Sequence, residues 1–122
     1  MKYAKKNGLK LTVTENCASF SDGSSFDITE GYLSISVSEE HQGHGLAAVL
    51  IYSLLITRPN DLWYKIDGDA SGGFWDYVGM KEGRYGYMVY RRPSNSTRWR
   101  DTEGGEKSIT HQELLNWAAQ RI

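Results

Sequence analysis

The sequence predicts an α/β (α+β) domain in which a mixed, mostly antiparallel β-sheet is flanked by helices. Residues 9–14 and 32–37 alternate apolar and polar side chains, which is the period of a half-buried strand. Residues 46–56 are almost all apolar and predict a helix that is packed on several sides. A strand predicted at 62–66 follows, and a strand–helix–strand order of this length favours a central parallel pair with a right-handed crossover.

Turn residues and caps predict the remaining elements. Short strands are predicted at 17–20, 26–28, 80–81 and 86–91. A short helix is predicted at 74–78, and the polar residues 93–108 lack periodicity, which is typical of a linker or a loop. Thr110, with Glu113 three residues later, forms a capping box for a last amphipathic helix up to residue 122.

Length and composition predict one cytoplasmic domain. The 122 residues suffice for one core, so residues 1–93 and the loop and helix of residues 94–122 are assigned to the same domain. A formal net charge of −1 gives no reason to invoke nucleic acid or an anionic membrane as the main partner. The longest apolar run is too short to span a bilayer, and the basic start lacks the apolar core of a secretory signal.

Cysteine and histidine usage predicts a reducing compartment and no metal. Cys17 is the single cysteine, so an intramolecular disulfide cannot form. The three histidines have no paired cysteines with which to build a zinc site.

The segment VSEEHQGHGLAA, residues 37–48, is the strongest functional signal. A turn that contains glycines lets backbone amides approach an anion, and the N-terminus of the following helix directs unsatisfied N–H groups to the same place. A strand, a glycine turn and a buried helix also occur in α/β proteins that bind nothing there. The segment predicts a pyrophosphate site on residues 42–47, in which His44 is either an additional donor or a solvent-exposed loop residue.

The spacing within this segment resembles a known signature. Gln42, Gly45 and Ala47 read as Q/RxxGxG/A, and Val37 ends a strand five residues earlier, which resembles the acetyl-CoA signature of the GNAT superfamily of N-acetyltransferases. The segment FWDYVGM, residues 74–80, looks like a second conserved segment of that family. The resemblance implies a GNAT-like sheet whose parallel strand pair surrounds the cofactor. It also implies direct transfer of an acetyl group from acetyl-CoA to an amine.

The resemblance implies the cofactor-binding residues. Backbone groups of the strand before the loop would pair with the pantetheine arm, amides of the loop and helix would hold the pyrophosphate, and an aromatic residue would pack on the cofactor. These residues are Ile35, Ser36 and Val37, then Gln42, Gly43, His44, Gly45, Leu46 and Ala47, and finally Phe74.

The catalytic candidates are fewer. Trp75 stands where many family members carry a tyrosine that is proposed to protonate the coenzyme A thiolate, and an indole cannot do so at neutral pH. Tyr77 is the candidate substitute, although an aromatic side chain here also suits packing. Glu30 is the candidate general base, because it begins the strand that leads to the loop. It also suits a simple turn before Gly31.

The acceptor stays open between a protein lysine, an N-terminus and a small amine. The short N-terminal half leaves little room for helices that would wall the acceptor groove, which favours an exposed site unless a homodimer supplies the wall. A GNAT-fold module without catalysis is the alternative. A less favoured one is a protein that contacts nucleic acid through the basic region of residues 81–100, where aromatic residues are interleaved with arginines.

Overall fold

A computed structural model of the chain describes residues 2–67, 74–79, 81–82 and 106–122. Within these ranges the fold is a mixed α/β arrangement of one mostly antiparallel sheet and helices. The strands are β1 (Leu11–Val13), β2 (Cys17–Phe20), β3 (Ser25–Thr29), β4 (Tyr32–Ser36), β5 (Trp63–Asp67), β6 (Lys81–Glu82) and β7 (Glu106–Thr110). The helices are α1 (Lys2–Lys6), α2 (Leu46–Leu55), α3 (Phe74–Val78) and α4 (His111–Ala119), with a 3-10 turn at Glu39–His41.

The described strands lie in the order β1-β2-β3-β4-β5-β7-β6. Strands β4 and β5 run parallel, and the other neighbouring pairs run antiparallel. Every residue of β4 pairs with β3, but in the described part of the chain β4 meets β5 at one register pair, Tyr32 with Lys65. Beyond this junction, the described ranges contain no further register pair between β4 and β5, so the edge of β4 that faces β5 has no strand partner towards the end of the strand.

Lys65 fixes this junction. Its backbone N–H donates to the carbonyl oxygen of Gly31 at 2.9 Å, and its Nζ lies 4.3 Å from the centre of the Tyr32 ring. The lysine side chain is 2% exposed, so the cation–π contact forms in a largely water-free environment, where it is strongest. In the described part of the chain, the two strands are held together at the start of β4.

Helix α2 is the centre of the core, as its apolar sequence predicts. It contacts β2 and β3 on one side and α4 on another. Its buried side chains are Leu46, Ala48, Val49, Leu50, Ile51, Leu54 and Leu55. A helix covered on several sides has no face for polar residues. No helix in the described ranges combines the length and the apolarity that crossing a bilayer requires.

Helix α4 begins at the predicted capping box. The Thr110 hydroxyl accepts from the backbone N–H of Glu113, and the Glu113 carboxylate accepts from the backbone N–H of Thr110, both at 3.1 Å. These two bonds satisfy two donors that a helix start otherwise leaves free. Leu114 and Ala118 are fully buried, and the helix packs on α2 and on the sheet.

One prediction of local structure was wrong, and one element was not predicted. Residues 106–108 are not part of a polar linker, because they begin β7, which pairs with both β5 and β6. Pairing from two sides overrides the polar composition of this strand, and Ser108 is buried. The sequence also predicted no element at the start of the chain, where α1 forms. Five residues are too few to show a helical period.

Other predictions lie partly or wholly outside the described residues. The helix at 74–78 is confirmed, and the strand predicted at 80–81 appears as β6. The strand at 86–91 and the linker at 93–105 lie outside, as does the predicted basic region except for residues 81–82.

A hydrogen-bonded chain joins the loop before β5 to the start of α4. The Tyr64 hydroxyl contacts Asp61 Oδ2 at 2.9 Å and His111 Nδ1 at 2.7 Å, and Arg58 Nε donates to the same Asp61 oxygen at 2.6 Å. Since a carboxylate only accepts, the phenolic proton goes to Asp61, and Nδ1 of His111 carries the proton donated to the Tyr64 oxygen. His111 is buried, and burial lowers its pKa from the ordinary value of 6.5.

This lowered pKa of His111 predicts a loss of stability in mild acid. The unfolded chain takes up a proton at a higher pH than the folded chain, so the contribution of His111 is complete above the unfolded pKa of about 6.5 and declines as the pH falls towards the folded value. The variant His111→Asn keeps an N–H donor but does not titrate. We expect the free energy of urea unfolding to fall more steeply from pH 7 to pH 5 in the parent protein than in this variant. Parallel pH profiles would contradict the assignment.

Candidate functional site

A cavity of about 780 Å³ lies where β4 ends and α2 begins. Its walls come from the end of β4, the loop that follows, the first turn of α2, and residues of α3 and α4. The described residues that line it are Ile35, Ser36, Val37, His41, Gln42, Gly43, Gly45, Leu46, Ala47, Ala48, Phe74, Tyr77, Trp117 and Arg121.

Residues 42–45 form a glycine loop on one wall of the cavity. Gly43 and Gly45 have φ angles of +82° and +83°, a left-handed backbone that favours glycine. The Gln42 side chain donates to the carbonyl oxygen of Val37 at 3.1 Å, which ties the loop to the end of the strand. The glycine loop therefore has a defined shape.

Gly45 is the N-cap of α2, and no side chain caps this helix start. The first hydrogen bond of the helix runs from the Val49 N–H to the Gly45 carbonyl oxygen. The N–H groups of residues 46–48 therefore have no acceptor within the helix, and all three residues line the cavity. Together with the positive end of the helix dipole, they favour an anion at this wall.

Tyr3 of α1 supports the glycine loop from outside the cavity. Its hydroxyl contacts His41 Nδ1 at 2.7 Å, and its ring stacks on the His44 ring with 4.1 Å between centroids. His44 is exposed and is not among the described lining residues, so it lies against Tyr3 and not in the cavity wall. The sequence pointed to neither Tyr3 nor His41, because 38 positions separate them.

Aromatic side chains of α3 and α4 form the opposite wall. Trp117 meets Phe74 and Tyr77 edge to face, with centroid distances of 5.6 Å and 6.1 Å. The Arg121 guanidinium lies 4.5 Å from the Trp117 ring and 5.6 Å from the Tyr77 ring. Trp117 lies in α4, and Arg121 follows the end of that helix four positions later; this spacing is the sequence signal that could have identified them.

The charge of the cavity is positive where it is described. Arg121 is a permanent cation, and the lining residues named above include no aspartate or glutamate. Glu39 and Glu40 precede the glycine loop and are exposed, and Glu40 approaches His41 at 3.8 Å. The described wall thus presents amide donors and one full positive charge, which suits an anionic ligand.

The structure brings together most of the residues predicted to bind the cofactor. All of them except His44 line the cavity: Ile35, Ser36, Val37, Gln42, Gly43, Gly45, Leu46, Ala47 and Phe74. Of the two catalytic candidates, Tyr77 lines the cavity and is 68% exposed.

Glu30 and Trp75 lie elsewhere. Glu30 occupies the turn before β4 with a φ angle of +52°, is exposed, and is not among the described lining residues. Strand β4 begins at Tyr32, so Glu30 lies before the start of the strand, whereas the cavity lining begins at Ile35, towards its end. Trp75 is 3% exposed and packs on Phe26 and Phe74, so it belongs to the core.

Comparisons with protein-family models, with curated proteins and with solved structures give no match to this chain.

Proposed function

We propose that the protein transfers an acetyl group from acetyl-CoA directly to an amine, in the manner of a GNAT-type N-acetyltransferase. The observation that carries the proposal is the cavity. It joins the glycine loop and the uncapped start of α2 to the end of β4, whose edge towards β5 has no strand partner there within the described ranges. A diphosphate and a pantetheine arm need these two elements side by side.

Each part of the coenzyme has a matching surface. The amides of residues 42–47 would hold the diphosphate, as a helix N-terminus does in other phosphate sites. The backbone of Ile35, Ser36 and Val37 would pair with the amides of the pantetheine arm, because this edge of β4 lacks a strand partner within the described ranges. Phe74 would pack against the apolar part of the arm. The cavity volume falls in the range of about 300–1,000 Å³ that is usual for small-molecule sites.

The parallel pair supports a GNAT-like arrangement. Strands β4 and β5 are joined at Tyr32 and Lys65, and the cavity opens beside the far end of β4. A strand pair joined at one end only offers a backbone edge on which an extended ligand can lie.

The reaction needs one proton removed and one supplied. The amine nitrogen forms a bond to the thioester carbonyl carbon, the carbon–sulfur bond breaks, the amine loses a proton and the coenzyme A thiolate gains one. We assign the protonation of the coenzyme A thiolate to Tyr77, because this residue lines the cavity and its phenolic O–H can donate a proton. Trp75 is buried and cannot take this role. An amine that arrives unprotonated still loses one proton after it attacks, and the solvent can accept this proton. Glu30 lies in the turn before β4 and is not among the described lining residues.

The acceptor is a protein lysine, an N-terminus or a small amine. The exposure of Tyr77 at the cavity wall favours an acceptor site that is open to solvent. The alternative is that a second copy of the chain covers this side of the site. A coenzyme A-binding module without catalysis is the second candidate, favoured by the burial of Trp75 and the position of Glu30.

Binding of acetyl-CoA is the first test, and Ala47 is the residue to change. Ala47 lies in the first turn of α2, where a carboxylate stabilises the helix by about 0.3–1 kcal/mol, so Ala47→Glu should fold. Its charge would stand beside the diphosphate. We expect calorimetry to show binding by the parent protein, a moderate loss for the neutral control Ala47→Gln, and a further loss of roughly 100-fold for Ala47→Glu from like-charge repulsion.

If the folded parent protein fails to bind acetyl-CoA, the acetyltransferase proposal is wrong. Equal binding by the Glu and Gln variants would place the anion away from α2. Thermal unfolding of all three proteins checks that the fold is intact.

Turnover separates the enzyme from the module. We expect thiol release with a panel of lysine peptides, N-terminal peptides and small amines. The change Tyr77→Phe should lower kcat by roughly 100-fold while the KM for acetyl-CoA stays unchanged, because a general acid acts only in the chemical step. Glu30→Gln is the comparison. If Glu30→Gln lowers the rate and Tyr77→Phe does not, the assignment of Tyr77 as the proton donor is wrong and Glu30 takes part in the reaction. Binding of acetyl-CoA without turnover on any amine would favour the module.

A further inference from the structure

We propose that Arg121, directly after α4, is a second anion-binding group of the cavity and binds the coenzyme diphosphate together with the glycine loop. This inference rests on the coenzyme A site proposed above. It adds a residue from the C-terminal end of the chain, outside the segments that resemble the GNAT signature.

The position of Arg121 is the first argument. A Cβ placed on Gly45 would lie 3.9 Å from the Arg121 carbonyl oxygen, so the backbone of this residue packs on the glycine loop. Arg121 lines the same cavity as the loop and the first turn of α2, and its guanidinium lies 5.6 Å from the ring of Tyr77, another lining residue. A ligand held by those amides is thus next to the arginine.

The state of the guanidinium is the second argument. Arg121 Nη1 donates to the Trp117 carbonyl oxygen at 2.9 Å, and the guanidinium carbon lies 4.5 Å from the Trp117 ring. These contacts use one of five N–H donors and fix the side chain. Among the described residues, no carboxylate lies within salt-bridge distance of Arg121. Arg58, by contrast, pairs with Asp61. The cation is oriented but not neutralised by the described part of the chain.

The chemistry of the lining residues indicates that the group bound beside Arg121 is a phosphate. The lining residues named above contain no acidic side chain, whereas amides and one arginine converge on the space. An arginine fork matches two oxygens of a phosphate, and the loop amides add further donors. A diphosphate presents two charged groups at adjacent positions, one for the amides and one for the guanidinium.

The test compares three ligands with three proteins. Calorimetry or competition would measure coenzyme A, 3′-dephospho-coenzyme A and S-acetylpantetheine against the parent protein, Arg121→Gln and Arg121→Lys. We expect Arg121→Gln to bind both diphosphate ligands about 10-fold to 30-fold more weakly, the loss of a charge-assisted hydrogen-bonded pair. Arg121→Lys should lose less, since it keeps the charge but not the fork. S-acetylpantetheine, which has no phosphate, should bind all three proteins equally.

The outcomes separate this inference from the proposed function. Failure of the parent protein to bind any of the ligands overturns the coenzyme site itself. Binding by the parent that is unchanged in Arg121→Gln overturns only the role of Arg121. A loss confined to coenzyme A moves the contact to the 3′-phosphate and contradicts the assignment to the diphosphate. Lys10→Gln removes an exposed charge at β1 and is the control for a general charge effect; an equal loss in this control would also contradict the inference.

Discussion

The packing of α2 is the constraint on which the geometry of the cavity depends. Its side chains are buried against β2, β3 and α4, so neither the direction nor the depth of the helix can change without opening the core. Burying one Leu or Ile side chain contributes about 1.5–3 kcal/mol, and several of the seven buried residues are of this kind. The helix start is therefore fixed in space, and so are the N–H groups that face the cavity.

The other walls of the cavity are positioned relative to that helix. Strand β4 reaches the cavity with its far end unpaired towards β5 as far as the structure describes the chain, because the described junction with β5 lies at Tyr32 and Lys65. Tyr3 supports the glycine loop through His41 and His44, and α4 brings Trp117 and Arg121 to the opposite side. The continuous segment from β4 to α2 thus meets residues from the C-terminal part of the chain around one space that is rich in donors.

The sequence predicted the features that local rules decide. The glycine turn before α2, the capping box at Thr110 and the mostly apolar α2 follow from residue types at short spacing, and the structure has each of them. Strand β7 was missed because its polar residues are stabilised by two neighbouring strands, and these pairings are formed by residues distant in the chain. A composition rule cannot detect such partners.

The residues of the candidate site likewise fall into two groups: those that local sequence patterns predict and those that only the fold brings together. The strand end, the glycine loop and Phe74 lie in two short segments with recognisable spacing, and they line one cavity. Tyr3, His41 and Arg121 act across long separations, so their contacts became visible only in three dimensions. Glu30 was a reasonable candidate from its place before the strand, but it occupies the turn at the start of β4, whereas the described cavity lining begins at Ile35, towards the end of the strand.

The most direct test of the coenzyme site is a two-dimensional ¹⁵N–¹H spectrum of the parent protein, recorded during addition of acetyl-CoA. Amides that gain an anionic acceptor change their chemical shifts most, so the largest changes should fall on residues 43–48, with smaller ones on residues 35–37 of the β4 edge. Changes that are absent, or that cluster away from the cavity, would contradict the account.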